Sequence, residues 1–213
     1  MKGAVKAGAD ALIKERNYLT DLDAKIGDGD HGINMARGAQ SVLEELEEHH
    51  GALTAQELVK LVGEAFLMNV GGSAGPLYGS GFIAASKALA DPSSALDANT
   101  FARFMHESNA AIQKRGHAEA GDKTMLDVTI PLEKVFVDNA AQPLSDVLKS
   151  GRETVRNAVE YTKELEAKRG RASYLGKRSI GFADPGAASA AIIYREVSLY
   201  IEKNFLTNAT DSE

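Results

Sequence analysis

The sequence predicts an all-α fold, an up-and-down bundle of eight antiparallel helices. Three observations lead there. Apolar residues recur at spacings of three and four along most of the 213 residues. Alternating β-branched runs bounded by turns, the mark of strands, are missing. The periodic stretches are joined by short connections, and helices so joined tend to pack antiparallel. Hydrophobic residues at 44% and charged residues at 25% are ordinary for a globular chain. The length suits one domain, read here as 1–213, with 207–213 a polar tail expected to be disordered.

The elements follow in order. Val5, Ala9, Leu12, Ile13, Leu19 and Leu22 trace one stripe for the first helix. Ile33, Val42, Leu43 and Leu46 mark the second, with His49 and His50 as its frayed end. Thr54 and Glu57 have the spacing of a capping box, each able to satisfy the other's backbone donor. They open a third helix that runs to Val70 and stops at Gly71. Pro76 is a first-turn proline for the fourth, which ends before Asp91 and Pro92. Thr100 is read as the cap of the fifth, through Phe101, Phe104 and Ile112 to Gly116. The sixth spans about Thr124 to Asn139, with Pro131 kinking it or trimming its start. The seventh is a long amphipathic run from about Leu144 to Lys168, and the eighth spans Ala187 to Phe205.

In an up-and-down order, every second connection falls at the same end. One such set is roughly 23–32, 71–76, 116–124 and 169–186, and it holds twelve of the 20 glycines. The other set, 49–54, 90–99 and 139–144, holds one. Glycine permits positive φ and lets backbone approach a ligand closely. One end of the bundle is therefore expected to bind.

The first of those loops reads "DAKIGDGDHGINMARG", with Asp23, Asp28 and Asp30 close together beside His31. Carboxylate oxygens are hard ligands suited to Mg²⁺, Ca²⁺ or Mn²⁺. The pattern is not an EF-hand, because the glycine is one place early and Ala39 stands where the bidentate glutamate belongs. Mg²⁺ takes few carboxylates and completes its octahedron with water and phosphate. Three aspartates without a fuller oxygen cage point to Mg²⁺ shared with a phosphorylated ligand, with room for two ions. The competing reading is a helix end in which Asp30 caps the next helix. His31 either touches phosphate or orients a carboxylate.

The second loop, "NVGGSAGPLYG", sets small residues and free amides just before a helix, which is an anion site. It lacks the Gly-Lys-Ser/Thr ending of a Walker loop. The third contains "GDKTML", whose Met125 either lines a pocket or packs in the core. The fourth, "RGRASYLGKRSIGFADPGA", is read as long irregular chain, and loops of that length in compact domains are usually functional. Its Arg171 and Arg178 either neutralise phosphate or are solvated. Asp184, Pro185 and Gly186 form a rigid turn with Asp184 near the capping position of the last helix.

Several function classes are disfavoured. With no cysteine, disulfides and thiolate metal sites are excluded. A net charge of −6 argues against nucleic acid as a partner. Residues 65–86 are free of charge, but their five glycines and Pro76 make them a helix, a loop and a helix, not a membrane span. Lys2, Lys6 and Asp10 interrupt any signal peptide, so the default location is the cytoplasm.

Together "DAKIGDGDHGINMARG", "GGSAGPLYG", "GDKTMLDV" and "GRASYLGKRSIGFADPGAAS" closely resemble the nucleotide-binding L subunit of dihydroxyacetone kinases, in order and over nearly the whole chain. The resemblance implies a barrel-like bundle of eight helices with ADP or ATP and two Mg²⁺ at one end. It implies metal ligands at Asp23, Asp28 and Asp30, and nucleotide contacts at His31 and Asn34. It implies a phosphate loop at Gly72 and Ser73, base neighbours at Gly116 and Met125, and a nucleotide-contacting arginine at Arg171. Asp184, Pro185 and Gly186 match the turn that closes the site. The family pattern GGASG reads GGSAG here, so which group of the loop reaches phosphate stays open. As partners, the resemblance implies a separate K subunit that holds dihydroxyacetone and a phosphohistidine donor protein of the phosphotransferase system. A split ATP-dependent kinase, one acting on another triose or tetrose, a nucleotide-sensing regulatory subunit and a homodimer stay open.

Overall fold

The computed structural model describes residues 1–91 and 95–206. The expected tail at 207–213, and Pro92 at the expected end of the fourth helix, lie outside the described residues. Among the described residues there are nine α-helices and no strand. They are α1 (Lys2–Lys14), α2 (Arg16–Ile26), α3 (His31–Glu48), α4 (Ala55–Asn69), α5 (Ala74–Ala85), α6 (Ala98–Gly116), α7 (Leu126–Asp138), α8 (Leu144–Tyr161) and α9 (Pro185–Ile201).

Eight rods become nine helices because the first is broken at Glu15, whose φ of −89° and ψ of 11° leave the helical well. The ladder still passes through it. Glu15 N–H donates to Ala11 O at 2.9 Å, and Leu19 N–H donates to Glu15 O at 3.0 Å. Each rod packs on its chain neighbours, and α9 returns to pack on α1, so the bundle closes into a ring. Leu12, Leu19, Met35, Leu126, Phe136 and Leu148 are among the side chains buried inside it. Burial of such side chains is the main source of helix stability in a short-helix bundle. Among the described residues no helix is long and apolar enough to cross a membrane.

The local signals held unevenly. Thr54 and Glu57 make the capping box of α4 in both directions. Thr100 does not cap α6; Asp97 does, its carboxylate accepting from Thr100 N–H at 2.8 Å while Thr100 itself is buried one turn inside. Ile33 is exposed, so it does not share the buried stripe with Val42. Pro131 lies inside α7, which spans Leu126–Asp138 and not the longer Thr124–Asn139.

The seventh helix does not reach Lys168. It ends at Tyr161, where the Thr162 hydroxyl donates back to Val159 O at 2.6 Å and the chain tightens into a 3₁₀ turn over Thr162–Glu164. The stretch read as irregular contains 3₁₀ turns over Arg171–Ser179, interrupted at Gly176. The last helix begins at Pro185 and runs to Ile201, followed by a wider π-type turn over Glu202–Leu206.

Candidate functional site

Four connections, α2–α3, α4–α5, α6–α7 and α8–α9, meet at one end of the ring and enclose a cleft of about 390 Å³. That lies within the usual range for small-molecule sites. Asp23, Asp28, Asp30, His31, Asn34, Gly72, Ser73, Gly116, Met125, Arg171, Asp184, Pro185 and Gly186 all line it. These are the thirteen positions expected from the sequence to share one site, and the fold brings them together. Arg178, the alternative to Arg171, is exposed and does not line the cleft.

The acidic corner has a division of labour. Asp23, on the last turn of α2, is buried and its Oδ2 accepts from the N–H groups of Asp30 at 2.9 Å and His31 at 3.1 Å. It therefore satisfies orphan donors at the start of α3, the task that the competing reading gave to Asp30. Asp30 makes no side-chain capping bond and is exposed. Asp28 is also exposed, with Arg171 Nε 2.6 Å from its Oδ2. One carboxylate oxygen from each aspartate can be chosen so that all three lie within 4.8 Å of one another. An all-oxygen, anionic set of that span fits a hard divalent cation.

His31 reaches across the cleft, not toward the carboxylates. Its Nε2 is 2.9 Å from Ser189 Oγ on α9, and Tyr78 Oη of α5 is 2.7 Å from the same oxygen. Three helices that open toward the cleft are thus tied at one hydroxyl. Burial pushes the His31 imidazole below its ordinary pKa, against the opposing pull of Asp23, Asp30 and the Pro185 backbone.

The α4–α5 loop approaches α3 so closely that a Cβ on Gly71 would sit 2.8 Å from Asn34 Oδ1. Gly72 has φ of +64° and faces open space. Ser73 occupies the N-cap of α5 with no side-chain capping bond, which leaves its hydroxyl and the first amides of α5 available to an anion. Asn34 is buried and accepts from Arg37 Nη2 at 2.7 Å. On the opposite wall Gly116 ends α6 against Leu77, and Met125 is buried at the start of α7.

The α8–α9 connection closes the site. Asp184 caps α9, its Oδ2 accepting from Ala187 N–H at 2.7 Å, with Pro185 in the first turn. Burial raises the Asp184 carboxyl to about 7. Sequence reasoning missed the groups that hold this connection. Lys123 is buried and donates to four of its carbonyls, and Thr162 Oγ1 accepts from Asp184 N–H at 3.0 Å. A cation set between Asp122 and Asp127 in the glycine-bounded "GDKTMLD" was the available signal. Ser189 gave none, because it sits inside a periodic helix.

A family model described as the DAK2 domain matches residues 25–198. The chain is 40% identical over 181 residues to the ADP-binding subunit DhaL of PEP-dependent dihydroxyacetone kinase 1 from Listeria innocua, covering 85% of each chain. It is 38% identical over 195 residues to the corresponding Escherichia coli subunit, covering 89% of this chain and 90% of that one. The crystal structure of the dihydroxyacetone kinase from C. freundii in complex with AMP-PNP and Mg²⁺ matches with a TM-score of 0.73 and 26% identity. That match covers 93% of this chain but only 33% of the kinase, so this chain spans about a third of it.

Proposed function

The chain belongs to the DAK2 domain family, and from that premise we propose that it is the ADP-binding subunit of a dihydroxyacetone kinase. It passes a phosphoryl group from a phosphohistidine donor of the phosphotransferase system, by way of bound ADP, to dihydroxyacetone on a separate K subunit. Two Mg²⁺ ions and ADP are its cofactors in this reading. The observation that carries it is the meeting of an all-oxygen acidic corner and a glycine loop in one cleft, in a chain 38–40% identical to DhaL subunits.

Asp23, Asp28 and Asp30 are assigned as the metal ligands. When bound, Mg²⁺ supplies charge neutralisation and alignment of the phosphates for in-line transfer. The residues of this chain do the positioning. Asp23 fixes the start of α3 and so the placement of Asp30. The amides after Gly72 and the Ser73 hydroxyl receive phosphate oxygens at the N-terminus of α5. His31 and Asn34 line the same phosphate side, and Arg171 adds a cation there. Gly116, packed against Leu77, and Met125 line the side of the cleft assigned to the base, with Met125 as its soft apolar floor. Asp184, Pro185 and Gly186 form the rim that excludes water. Phosphoryl transfer is mostly orientation and electrostatics, so no protein nucleophile is required of this chain.

The test is direct. The purified chain is analysed by mass spectrometry for retained nucleotide, then mixed with a K subunit and dihydroxyacetone. Tightly held ADP, and product formed with the phosphohistidine donor, are expected. Product formed only with added ATP would make the chain part of a split ATP-dependent kinase. Product from neither source, with nucleotide bound, would make it a sensor.

A further inference from the structure

Lys123 is a side chain the phosphoryl-transfer reading does not use. It is 1% exposed and does not line the cleft. Its Nζ lies 2.8 Å from Thr162 O, 3.1 Å from Leu165 O, 2.8 Å from Ser179 O and 2.7 Å from Phe182 O. All four carbonyls belong to the α8–α9 connection. Of the other cations in that stretch, Lys163 pairs with Glu160, Lys168 and Arg169 with Asp122, and Arg171 with Asp28.

The geometry is that of a cation cage. An ammonium has three N–H donors, so four acceptors at these distances oblige one proton to be shared. A neutral amine would turn a lone pair toward oxygen and lose the cage. Rings of backbone carbonyls that replace a hydration shell are also how proteins bind bare monovalent cations. The backbone agrees that the side chain is what matters here. Lys123 has φ of +61°, a left-handed conformation that residues with a Cβ rarely adopt. Its position is therefore held by the cage against local preference.

We propose that Lys123 is a positioning residue, a tethered stand-in for a monovalent cation whose four-carbonyl cage shapes the 162–182 connection. Through that connection it sets two walls of the cleft, Gly170–Ala172 and Asp184–Gly186. The second wall is joined to the cage directly, because Thr162 supplies one carbonyl to Lys123 and its hydroxyl accepts from Asp184 N–H. The binding consequence rests on the nucleotide reading above; the structural consequence does not.

The experiment compares the unaltered chain with Lys123→Ala and Lys123→Met in about 100 mM tetramethylammonium, potassium or ammonium chloride, which hold ionic strength constant. Two quantities are read, amide exchange across 163–182 and affinity for ADP with Mg²⁺. In tetramethylammonium, Lys123→Ala is expected to exchange those amides about tenfold faster and to bind ADP at least about tenfold more weakly. Potassium and ammonium fit the vacated cage and restore most of both losses; the wild type is indifferent to the salt. Lys123→Met keeps the apolar stem over the cage and shows the losses without the rescue. Unchanged exchange in Lys123→Ala, or a loss of the same size in all three salts, overturns the proposal. If Lys123→Ala does not fold, refolding is compared in the three salts, and recovery confined to potassium and ammonium supports it while none overturns it. A wild-type chain that binds no ADP sinks the nucleotide reading alone, and the exchange result still decides Lys123.

Discussion

Arg171 Nε stands 2.6 Å from Asp28 Oδ2, so the cation assigned to phosphate holds a carboxylate assigned to metal. Removing the arginine leaves Asp28 without that competing charge. Arg171 is 68% exposed, so the pair is weak, and the gain is correspondingly small. Arg171→Ala is expected to tighten Mn²⁺ binding to the nucleotide-free chain by about fivefold at most, and to weaken ADP binding. Titration followed by electron paramagnetic resonance measures the first, calorimetry the second. Weaker Mn²⁺ binding in the variant would mean that the arginine organises the acidic corner and does not compete with the metal.

Asp23 and Asp30 separate structure from metal binding. Asp30 makes no capping bond and is exposed, so Asp30→Asn is expected to change the stability of the nucleotide-free chain by less than about 0.5 kcal/mol while abolishing nucleotide retention. Asp23 accepts two backbone donors from a buried position. Asp23→Ala should lose nucleotide and also about 1–2 kcal/mol of stability, the usual effect of losing a helix cap. Thermal melts of both variants, with mass spectrometry of released nucleotide, check this. An Asp30→Asn chain that still copurifies with ADP at full occupancy would remove the metal assignment.

Much of the site was legible because its chemistry is local. Aspartates five and two apart, glycines ahead of a helix, and an Asp-Pro-Gly turn advertise themselves in sequence. Capping at Thr54 and Asp184 was equally local and held. What was hidden depends on distant partners. Lys123 meets carbonyls about 40 to 60 residues away, and Ser189 meets His31 158 positions away. The end of α8 failed for the same reason. Amphipathic spacing continues past Tyr161, but Thr162 and Leu165 are recruited by Lys123, and tertiary bonding overrides periodicity. Thr100 was a cap by residue type, yet the helix begins one turn earlier at Asp97, whose carboxylate accepts from Thr100 N–H and so takes the capping role.

Gly32 tests how tightly α2 must meet α3. A Cβ there would fall 2.0 Å from Arg16 O and 2.6 Å from Thr20 N, backbone atoms that cannot swing aside. Alanine ordinarily favours a helix over glycine by about 1 kcal/mol, so in open space Gly32→Ala would stabilise α3. The contact reverses the sign. A loss of about 1–3 kcal/mol is expected as the helices part, together with weaker nucleotide binding because Asp23 moves relative to Asp30. Gly72→Ala is the control: nothing lies within 4 Å of its Cβ, and its φ of +64° costs about 1 kcal/mol. Urea unfolding midpoints measure both. A Gly32→Ala chain as stable as the wild type would show that the α2–α3 contact is looser than described.

Asp184 makes the stability of the chain depend on pH in a stated direction. Burial is the main cause that lifts its carboxyl from 3.8 to about 7; the Ala187 N–H pulls it down, Asp127 pushes it up, and smaller effects come from Lys123 and Asp23. Between those two values the folded chain keeps a proton that the unfolded chain has released. Stability from this group is therefore complete below pH 3.8, falls as pH rises, and is lost once pH passes about 7. Asp184→Asn keeps an oxygen that can accept from Ala187 N–H, since asparagine caps as well as aspartate, and it removes the titration. The variant should thus gain on the wild type as pH rises from about 4 to about 7, by no more than about 1.4 kcal/mol per pH unit. Subtracting the two urea-unfolding curves at each pH cancels the other titrating groups, apart from those that touch Asp184. A difference that stays flat across the window, or that favours the wild type with rising pH, would show that the folded state holds Asp184 ionised. Lys123 would then govern its charge more strongly than burial does.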